Sequence, residues 1–209
     1  VTKYFIMLHA NKVIIVSGAS GSGKTTLVNH LLTYKIALNL DFSVSVCTRK
    51  KRQLETSGKH YIFLSKLEFK NKIESNEFLE WEEVYKDCFY GTLKASTYKI
   101  LNAGKNILFD VDVQGARKIK DYFKNQAISI FIQPPSIDIA KARLINRGTD
   151  SGKELNMRLS KIKHEIELGQ KMDYQLLNGE LEIAQKEIHN LVKNFRFLKF
   201  FELERSIIR

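Results

Sequence analysis

Short apolar runs alternate with amphipathic stretches along most of the chain, and this rhythm predicts strands that alternate with helices. Residues 12–17 form a β-branched run of strand length, and the helix expected over residues 24–36 places its leucines on one face. Strands are further predicted over 106–112, 127–133 and 174–177, with helices over 94–101, 115–123, 136–147, about 155–166 and from 181 onward. Strands that alternate with helices imply a mostly parallel sheet joined by right-handed crossovers.

The interval from residue 42 to residue 92 breaks this rhythm, because strand patterns dominate it. Residues 43–47 alternate as a half-buried strand, and 60–64 and 78–85 have strand patterns on either side of a short helix over 67–73. We therefore interpret this interval as a small β-rich lobe inserted into an α/β core.

Composition and charge narrow the class of protein without deciding its function. The chain has 209 residues, 44% of them hydrophobic, and 34 Lys and Arg against 23 Asp and Glu give a formal net charge of +11. Such a basic chain suits nucleic acids or small polyanions such as nucleotides equally well. No apolar run is long enough to span a membrane, and no secretory signal is recognisable.

The numbers and spacing of cysteines and histidines argue against a disulfide framework and against a zinc or iron site. Two cysteines do not make a disulfide framework, so a cytoplasmic location is expected. The five histidines show no paired metal spacing, and no zinc or iron site is expected.

A glycine-rich segment after the first predicted strand carries the clearest chemical signal. Gly18-Ala-Ser-Gly-Ser-Gly-Lys24-Thr25 matches the phosphate-loop pattern G-x-x-x-x-G-K-[ST] between a strand and a helix, a context that disfavours a chance glycine turn. Backbone N–H groups and the helix N-terminus cradle phosphate oxygens there, Lys24 meets the β- and γ-phosphates, and Thr25 ligates Mg²⁺. The expected triphosphate-binding residues are Gly18, Ala19, Ser20, Gly21, Ser22, Gly23, Lys24, Thr25 and Thr26.

Two aspartates close the strand predicted over residues 106–112. Asp110 and Asp112 are two residues apart, so both are expected on one face of that strand. A carboxylate at this place can hold water around Mg²⁺. The alternative is that one of them merely caps the helix that contains Gly115.

Further blocks follow in a fixed order along the chain. They are Ser43-Val-Ser45, Thr48-Arg49-x-x-Arg52-x-x-Glu55, Gly58-Lys-x-Tyr61, Glu77-Phe-Leu-Glu80-Trp81, Tyr90-Gly-Thr92, Asp110-Val-Asp112-Val-Gln-Gly115, Pro134-Pro-Ser136 and Arg147-Gly-Thr149-Asp150. In this order, over roughly residues 12–190, the chain resembles the guanylate kinase family. The resemblance implies transfer of a phosphoryl group from ATP to GMP, with ATP and GMP as partners. It implies a three-layer P-loop core (1–41, 93–135 and 159–209), a GMP-binding lobe (42–92) and a helical lid (136–158).

The same resemblance implies roles for individual residues. The implied catalytic residues are Lys24, Arg143, Arg147 and Arg158. The implied GMP-binding residues are Ser45, Arg49, Arg52, Glu55, Tyr61, Glu80, Tyr90, Gly91, Thr92 and Asp112. Mg²⁺ accompanies ATP and is held by Thr25 and, through water, by Asp110.

The chemistry of these residue types agrees with the implied roles. Two arginines three residues apart can fork around one phosphate. Guanine presents N1–H and N2–H₂ side by side, and the Glu80 carboxylate accepts both, whereas adenine has no donors there. Taken singly, each residue also has a plainer interpretation: a solvated basic turn for Arg49 and Arg52, an outward strand position for Glu80, and a solvated helix face for Arg143 and Arg147.

Three places depart from the family pattern. Lys51 and Leu54 replace a proline and a glycine in the loop between Arg49 and Glu55, which changes its backbone restraints. An Asn-Asp-Asp motif is replaced by Asn178-Gly179-Glu180, and Ala19 stands where proline is common.

Three other functions fit these residues less well. A non-catalytic scaffold module of the same fold would lack a working phosphate loop, and a kinase for another phosphorylated acceptor would have little need for Glu80 and Ser45. A nucleic-acid binder would need an element that reads bases, and none is recognisable.

The last helix is expected to continue through 193–209 and to pack on the core or on the second subunit of a dimer. The chain is expected to be a monomer or homodimer without membrane contact.

Overall fold

The computed structural model describes residues 11–51, 55–146, 148 and 152–207. In chain order the strands are β1 (Val13–Gly18), β2 (Leu40–Phe42), β3 (Val46–Cys47), β4 (Ile62–Phe63), β5 (Phe78–Tyr85), β6 (Cys88–Leu93), β7 (Asn106–Asp110), β8 (Ala127–Gln133) and β9 (Tyr174–Leu177). The helices are α1 (Lys24–Thr33), α2 (Lys66–Glu74), α3 (Lys94–Asn102), α4 (Val113–Phe123), α5 (Ile137–Asn146), α6 (Gly152–Gly169) and α7 (Leu181–Ile207).

The main sheet is parallel, as the alternation of strands and helices predicts. Its strand order is β2-β7-β1-β8-β9, and every recorded pairing within it is parallel. Val16 of β1 lies opposite Asp110 at the end of β7. The loop after β1 and Asp110 therefore meet at the carboxyl edge of the sheet, where parallel α/β folds bind ligands.

Helices cover both faces of this sheet, because β1 is apolar in both directions. Ile14 and Val16 belong to a buried cluster with residues of α1 and α7. Val13 and Ile15 belong to a second cluster with Ile119 of α4. A strand buried on both faces reads as a continuous apolar run, and the result is the predicted three-layer core.

A second sheet, in the order β4-β3-β6-β5, occupies the strand-rich interval. Its β5–β6 and β3–β6 pairs are antiparallel, and β3–β4 is parallel. Helix α2 begins with a capping box between Ser65 and Glu68, and its Phe69 packs against Phe78 and Phe89 of the sheet. The small inserted β-rich part of the predicted fold class is thus present.

Several element boundaries differ from the sequence predictions. β2 and β6 were not expected, and β3 is shorter than the predicted strand over 43–47. β7 ends at Asp110, so the expectation that Asp112 shares a strand face with it is wrong. Asp112 instead caps α4, its Oδ1 accepting from Gly115 N at 2.8 Å.

The last two helices bear on the predicted segment boundaries. The boundary expected between lid and core at 158/159 falls inside α6, which runs without interruption from Gly152 to Gly169. Helix α7 continues to Ile207. Across the described ranges, no helix combines the length and apolarity needed to cross a lipid bilayer.

Candidate functional site

An open cleft of about 740 Å³ lies at the carboxyl edge of the main sheet, facing the second sheet. The loop after β1 and the start of α1, residues 18–26, form one wall. Among the predicted acceptor-side residues, the lining includes Ser45, Arg49, Tyr61, Glu80, Tyr90, Gly91 and Asp112. The folding therefore brings together two groups of predicted residues that lie far apart in the chain.

The phosphate loop depends on glycines at two positions. Gly21 and Gly23 have φ of +79° and +86°, which other residues adopt only with strain. A Cβ on Gly21 would overlap the carbonyl of Ala140 in α5, and one on Gly23 would overlap the side-chain amide of Asn178. The loop is thus packed tightly from behind, which holds its backbone in the conformation that precedes α1.

Lys24 is the first residue of α1, and its ammonium bonds the Asp110 carboxylate across the edge of the sheet. Burial is the largest single influence and lowers the pKa of this ammonium, but the charge and the hydrogen bond of Asp110, with smaller contributions from Tyr61 and Asp112, together raise it above its ordinary value. Lys24 therefore stays charged at neutral pH. An ammonium has three donors, so it can hold Asp110 and phosphate oxygens together.

Arg49 is held rigidly at the opposite wall. Its Nη1 and Nη2 donate to the two Glu55 oxygens at 2.6 and 2.5 Å, and its Nε donates to the Tyr90 hydroxyl at 3.0 Å. The guanidinium also lies 4.9 Å from the centre of the Tyr61 ring. Burial raises the pKa of Tyr61 and of Tyr90, so both hydroxyls stay protonated and can donate to an anion.

Glu80 is a buried carboxylate on β5, only 7% exposed. Its Oε1 accepts from the Thr92 hydroxyl at 2.6 Å, and Gly115 at the start of α4 leaves room for Oε2. Burial raises the pKa of Glu80 to about 7; Thr92 opposes the shift and the Asp112 charge adds to it. The plainer interpretation of Glu80 as an outward strand position is wrong.

Glu55 and Thr92 stand behind residues that line the cleft. Glu55 is bonded to Arg49, and Thr92 is fully buried against Glu80. Both were predicted as GMP-binding residues, and both contact another predicted member of that set. The predicted Arg52 and Arg147 lie outside the described residues, as does Leu54.

The donor set for Mg²⁺ is small. The Thr25 hydroxyl and the Asp110 carboxylate both line the cleft and are hard oxygen ligands. The described ranges contain no group of three or more His, Cys, Asp or Glu able to hold a metal ion. This set fits Mg²⁺ that arrives with a nucleotide, because Mg²⁺ commonly uses one or two carboxylates, phosphates and water.

Arg143 and Arg158 also line the cleft, from α5 and α6. Arg143 Nη1 donates to the carbonyl oxygen of Asn178 at 3.2 Å. The Asn178 side chain in turn donates to the carbonyl of Ser22 at 2.7 Å. Arg143 and the phosphate loop are therefore tied through one buried asparagine.

Two residues that contact the loop had no role in the sequence predictions. Asn178 had appeared only as part of a departing motif, and Glu165 accepts from Ser20 N at 2.8 Å. These contacts join residues 156 and 145 positions apart. A periodic helix pattern around Glu165 was the only signal, and it carries no information about this contact.

Comparisons with known proteins agree with this geometry. The family model described as guanylate kinase matches residues 10–195. A guanylate kinase from Bacteroides fragilis is 49% identical over 184 residues, covering 88% of this chain and 89% of that protein. One from Bacteroides thetaiotaomicron is 45% identical over 193 residues, covering 92% and 94%. The crystal structure of guanylate kinase from Anaplasma phagocytophilum matches with a TM-score of 0.73 and 29% identity, over 90% of this chain and 87% of that one.

Proposed function

Because this chain belongs to the guanylate kinase family, we propose that it transfers the γ-phosphoryl group of ATP to GMP, giving ADP and GDP. The observation that carries the proposal is the shared cleft: the phosphate loop and the buried Glu80 line the same space from opposite walls. A donor and an acceptor nucleotide held there would face each other.

The ATP side of the proposal rests on residues 18–26. The loop amides and the N-terminus of α1 bind the phosphates, and Lys24 supplies the charge that meets the β- and γ-phosphates. Asn178 supports the loop from behind through Ser22. Mg²⁺ bound with ATP would be held by Thr25 and, through water, by Asp110, and it would neutralise phosphate charge.

The GMP side rests on a phosphate clamp and a base-reading carboxylate. Arg49, pre-aligned by Glu55, and the hydroxyls of Tyr61 and Tyr90 surround the acceptor phosphate, with Arg52 as a further member of the clamp. Glu80 accepts the two adjacent guanine donors. Ser45 and Asp112, which both line the cleft, complete the proposed base site together with Gly91 and Thr92.

The transfer itself is proposed as an in-line displacement without a covalent enzyme intermediate. The GMP phosphate is already an anion, so no strong general base is required. Lys24, Arg143, Arg147 and Arg158 supply positive charge around the transferring group, and this electrostatic stabilisation with positioning accounts for the catalysis.

These proposed roles assign a function to each segment of the chain. We propose that 1–41, 93–135 and 159–209 act as the nucleotide-holding core, 42–92 as the GMP-binding lobe, and 136–158 as the lid. Closure of the lobe and lid on both nucleotides would exclude water, which otherwise would accept the phosphoryl group.

A coupled assay of ADP release tests the proposal. ATP and Mg²⁺ are supplied with GMP, AMP, CMP or UMP in turn, at matched concentrations. We expect turnover with GMP to exceed turnover with AMP by about 10⁴, because adenine leaves the carboxylate unpaired. Equal rates with GMP and AMP, or release of ADP that ignores the acceptor, would contradict the proposed function.

A further inference from the structure

Helix α6 carries three polar side chains on one face, at positions that repeat with the helical period. Arg158, Lys161 and Glu165 are separated by three and then four residues, so they follow one another along about two turns. Arg158 and Glu165 both line the cleft. Glu165 and Lys161 each contact the backbone of a different wall of the cleft.

Glu165 contacts the phosphate loop. Its Oε2 accepts from the backbone N–H of Ser20 at 2.8 Å, in the middle of the loop between Gly18 and Gly23. A hydrogen bond from a backbone amide to a charged carboxylate is one of the stronger kinds in proteins. The loop thus has an attachment to α6 in addition to its own turns.

Lys161 contacts the opposite wall. Its Nζ donates to the carbonyl oxygen of Val84 at 2.7 Å. Val84 lines the cleft on β5, four residues beyond Glu80 on the same strand. One turn of α6 therefore separates a bond to the donor-side loop from a bond to the strand that carries the proposed base-reading carboxylate.

The helix itself has little freedom to shift. Ile162 is fully buried in a cluster with Ala19, Phe131 and Ala140. At the end of α6, a Cβ on Gly169 would overlap the ring of Phe131, so the helix backbone lies directly against β8. Because α6 is packed firmly against the core, hydrogen bonds from its polar side chains can hold the backbone groups that they contact in place.

We propose that Glu165 and Lys161 are positioning residues: Glu165 holds the phosphate loop, and Lys161 holds the β5 wall, against one turn of α6. The proposal rests on the proposed function for its catalytic consequence. Its structural content is independent: Glu165 orders the ATP side of the cleft, and Lys161 orders the GMP side. Catalysis requires both, because displacement of a reacting group by about 1 Å can cost about a hundredfold in rate.

The ATP side is tested with Glu165→Ala and Glu165→Gln. Loss of the acceptor in Glu165→Ala should weaken binding of a non-hydrolysable ATP analogue by about tenfold and lower kcat by at least as much, with GMP affinity within about twofold. Glu165→Gln keeps an oxygen that can accept from Ser20 and should restore both values to within about threefold. The exposed Glu167 on the same helix provides the matched control, Glu167→Ala.

The GMP side is tested with Lys161→Met, which keeps the length of the side chain and removes its donors. We expect GMP affinity to fall by about tenfold and kcat to fall with it, while the ATP analogue binds within about twofold of wild type. Lys163→Met, at an exposed position of α6, is the matched control. Melting temperatures of all variants identify any that are simply misfolded.

Distinct results overturn the proposal. Wild-type binding and kcat in folded Glu165→Ala and Lys161→Met would do so. Tighter analogue binding in Glu165→Ala would show that the carboxylate competes with phosphate, and equal losses in Glu165→Ala and Glu165→Gln would show that its charge is used directly. If wild type fails to phosphorylate GMP, the proposed function falls, whereas the analogue affinities of the Glu165 variants still decide the positioning role on the ATP side.

Discussion

The ionisation of Glu80 makes GMP binding depend on pH near neutrality. Guanine offers two hydrogen-bond donors to this side chain, so the carboxylate, and not the carboxylic acid, is the form that binds. Because burial raises the pKa of Glu80 to about 7, a large fraction of the free protein holds the wrong form at pH 6. GMP must then displace a proton before it can bind, and its affinity falls as the pH is lowered.

The size of the effect follows from that pKa. With a pKa of about 7, roughly one tenth of Glu80 is ionised at pH 6 and roughly nine tenths at pH 8. The apparent Kd for GMP should therefore be about tenfold higher at pH 6 than at pH 8. Affinity for an ATP analogue, which does not contact Glu80, should change much less over the same range.

Isothermal titration calorimetry measures both the affinity and the protons exchanged. Titrations at pH 6, 7 and 8, in buffers of different ionisation enthalpy, should show close to one proton released by Glu80 per GMP at pH 6 and almost none at pH 8. The GMP phosphate also titrates near pH 6. Glu80→Gln removes only the contribution of the carboxylate, so the difference between the two proteins isolates it.

Two results would refute the mechanism. If wild type and Glu80→Gln show the same pH dependence of GMP affinity, the carboxylate does not read the base. If Glu80→Gln weakens the ATP analogue as much as GMP, the residue acts on the whole cleft. The expected result is a loss confined to GMP, because the glutamine amide turns a donor toward one of the two guanine donors.

Three further parts of the site are tested by substitution, and the substitution in the phosphate loop has a control at a glycine outside the site. Lys24→Met should lower kcat by at least about a hundredfold in the coupled assay, because it removes charge at the transferring phosphoryl group. Gly23→Ala should abolish ATP binding and lower the free energy of unfolding, measured in urea, by about 2 kcal/mol or more. The added Cβ would overlap the Asn178 side chain, and an alanine would also be strained at φ +86°. Gly104→Ala, at φ +74° where an added Cβ would meet no atom within 4 Å, should lower the free energy of unfolding by only about 1 kcal/mol. Thr92→Val should raise the pKa of Glu80 and move the pH profile of GMP binding to higher pH, because it removes the hydroxyl that stabilises the carboxylate.

Each of these expectations has a clear opposite. Near-normal kcat in Lys24→Met would remove this side chain from the mechanism. Equal unfolding costs for the two glycine substitutions would mean that the contact behind the phosphate loop has no energetic weight. An unchanged or downward-shifted GMP profile in Thr92→Val would show that its hydroxyl does not stabilise the ionised form.

The parts of the site that can be predicted from the sequence are those whose residues all lie within one short segment. The phosphate loop needs glycines, a lysine and a hydroxyl within eight residues, so its pattern is visible without any tertiary information. Asp110 was identifiable because it ends an apolar strand, and strand ends of a parallel sheet converge on one edge. The same reasoning failed for Asp112, because a short polar side chain before a helix serves equally well as a cap.

The remaining features depend on contacts that no local pattern encodes. β2 has only three residues and β6 contains Gly91, so neither gave a recognisable strand signal. The bonds from Glu165 and Asn178 to the phosphate loop exist only because α6 and the end of β9 fold back beside it. Positions of this kind read as ordinary surface or turn residues until the fold is known.

The pairing of Arg49 with Glu55 has a consequence for anions that carry no base. The glutamate cancels most of the arginine charge and occupies its paired donors, so this corner of the cleft has a weaker positive potential than a bare guanidinium would give. Free inorganic phosphate is therefore bound only weakly at this corner of the cleft. GMP gains the rest of its affinity from the base site around Glu80. Abundant small anions that lack the base therefore do not occupy the acceptor phosphate site.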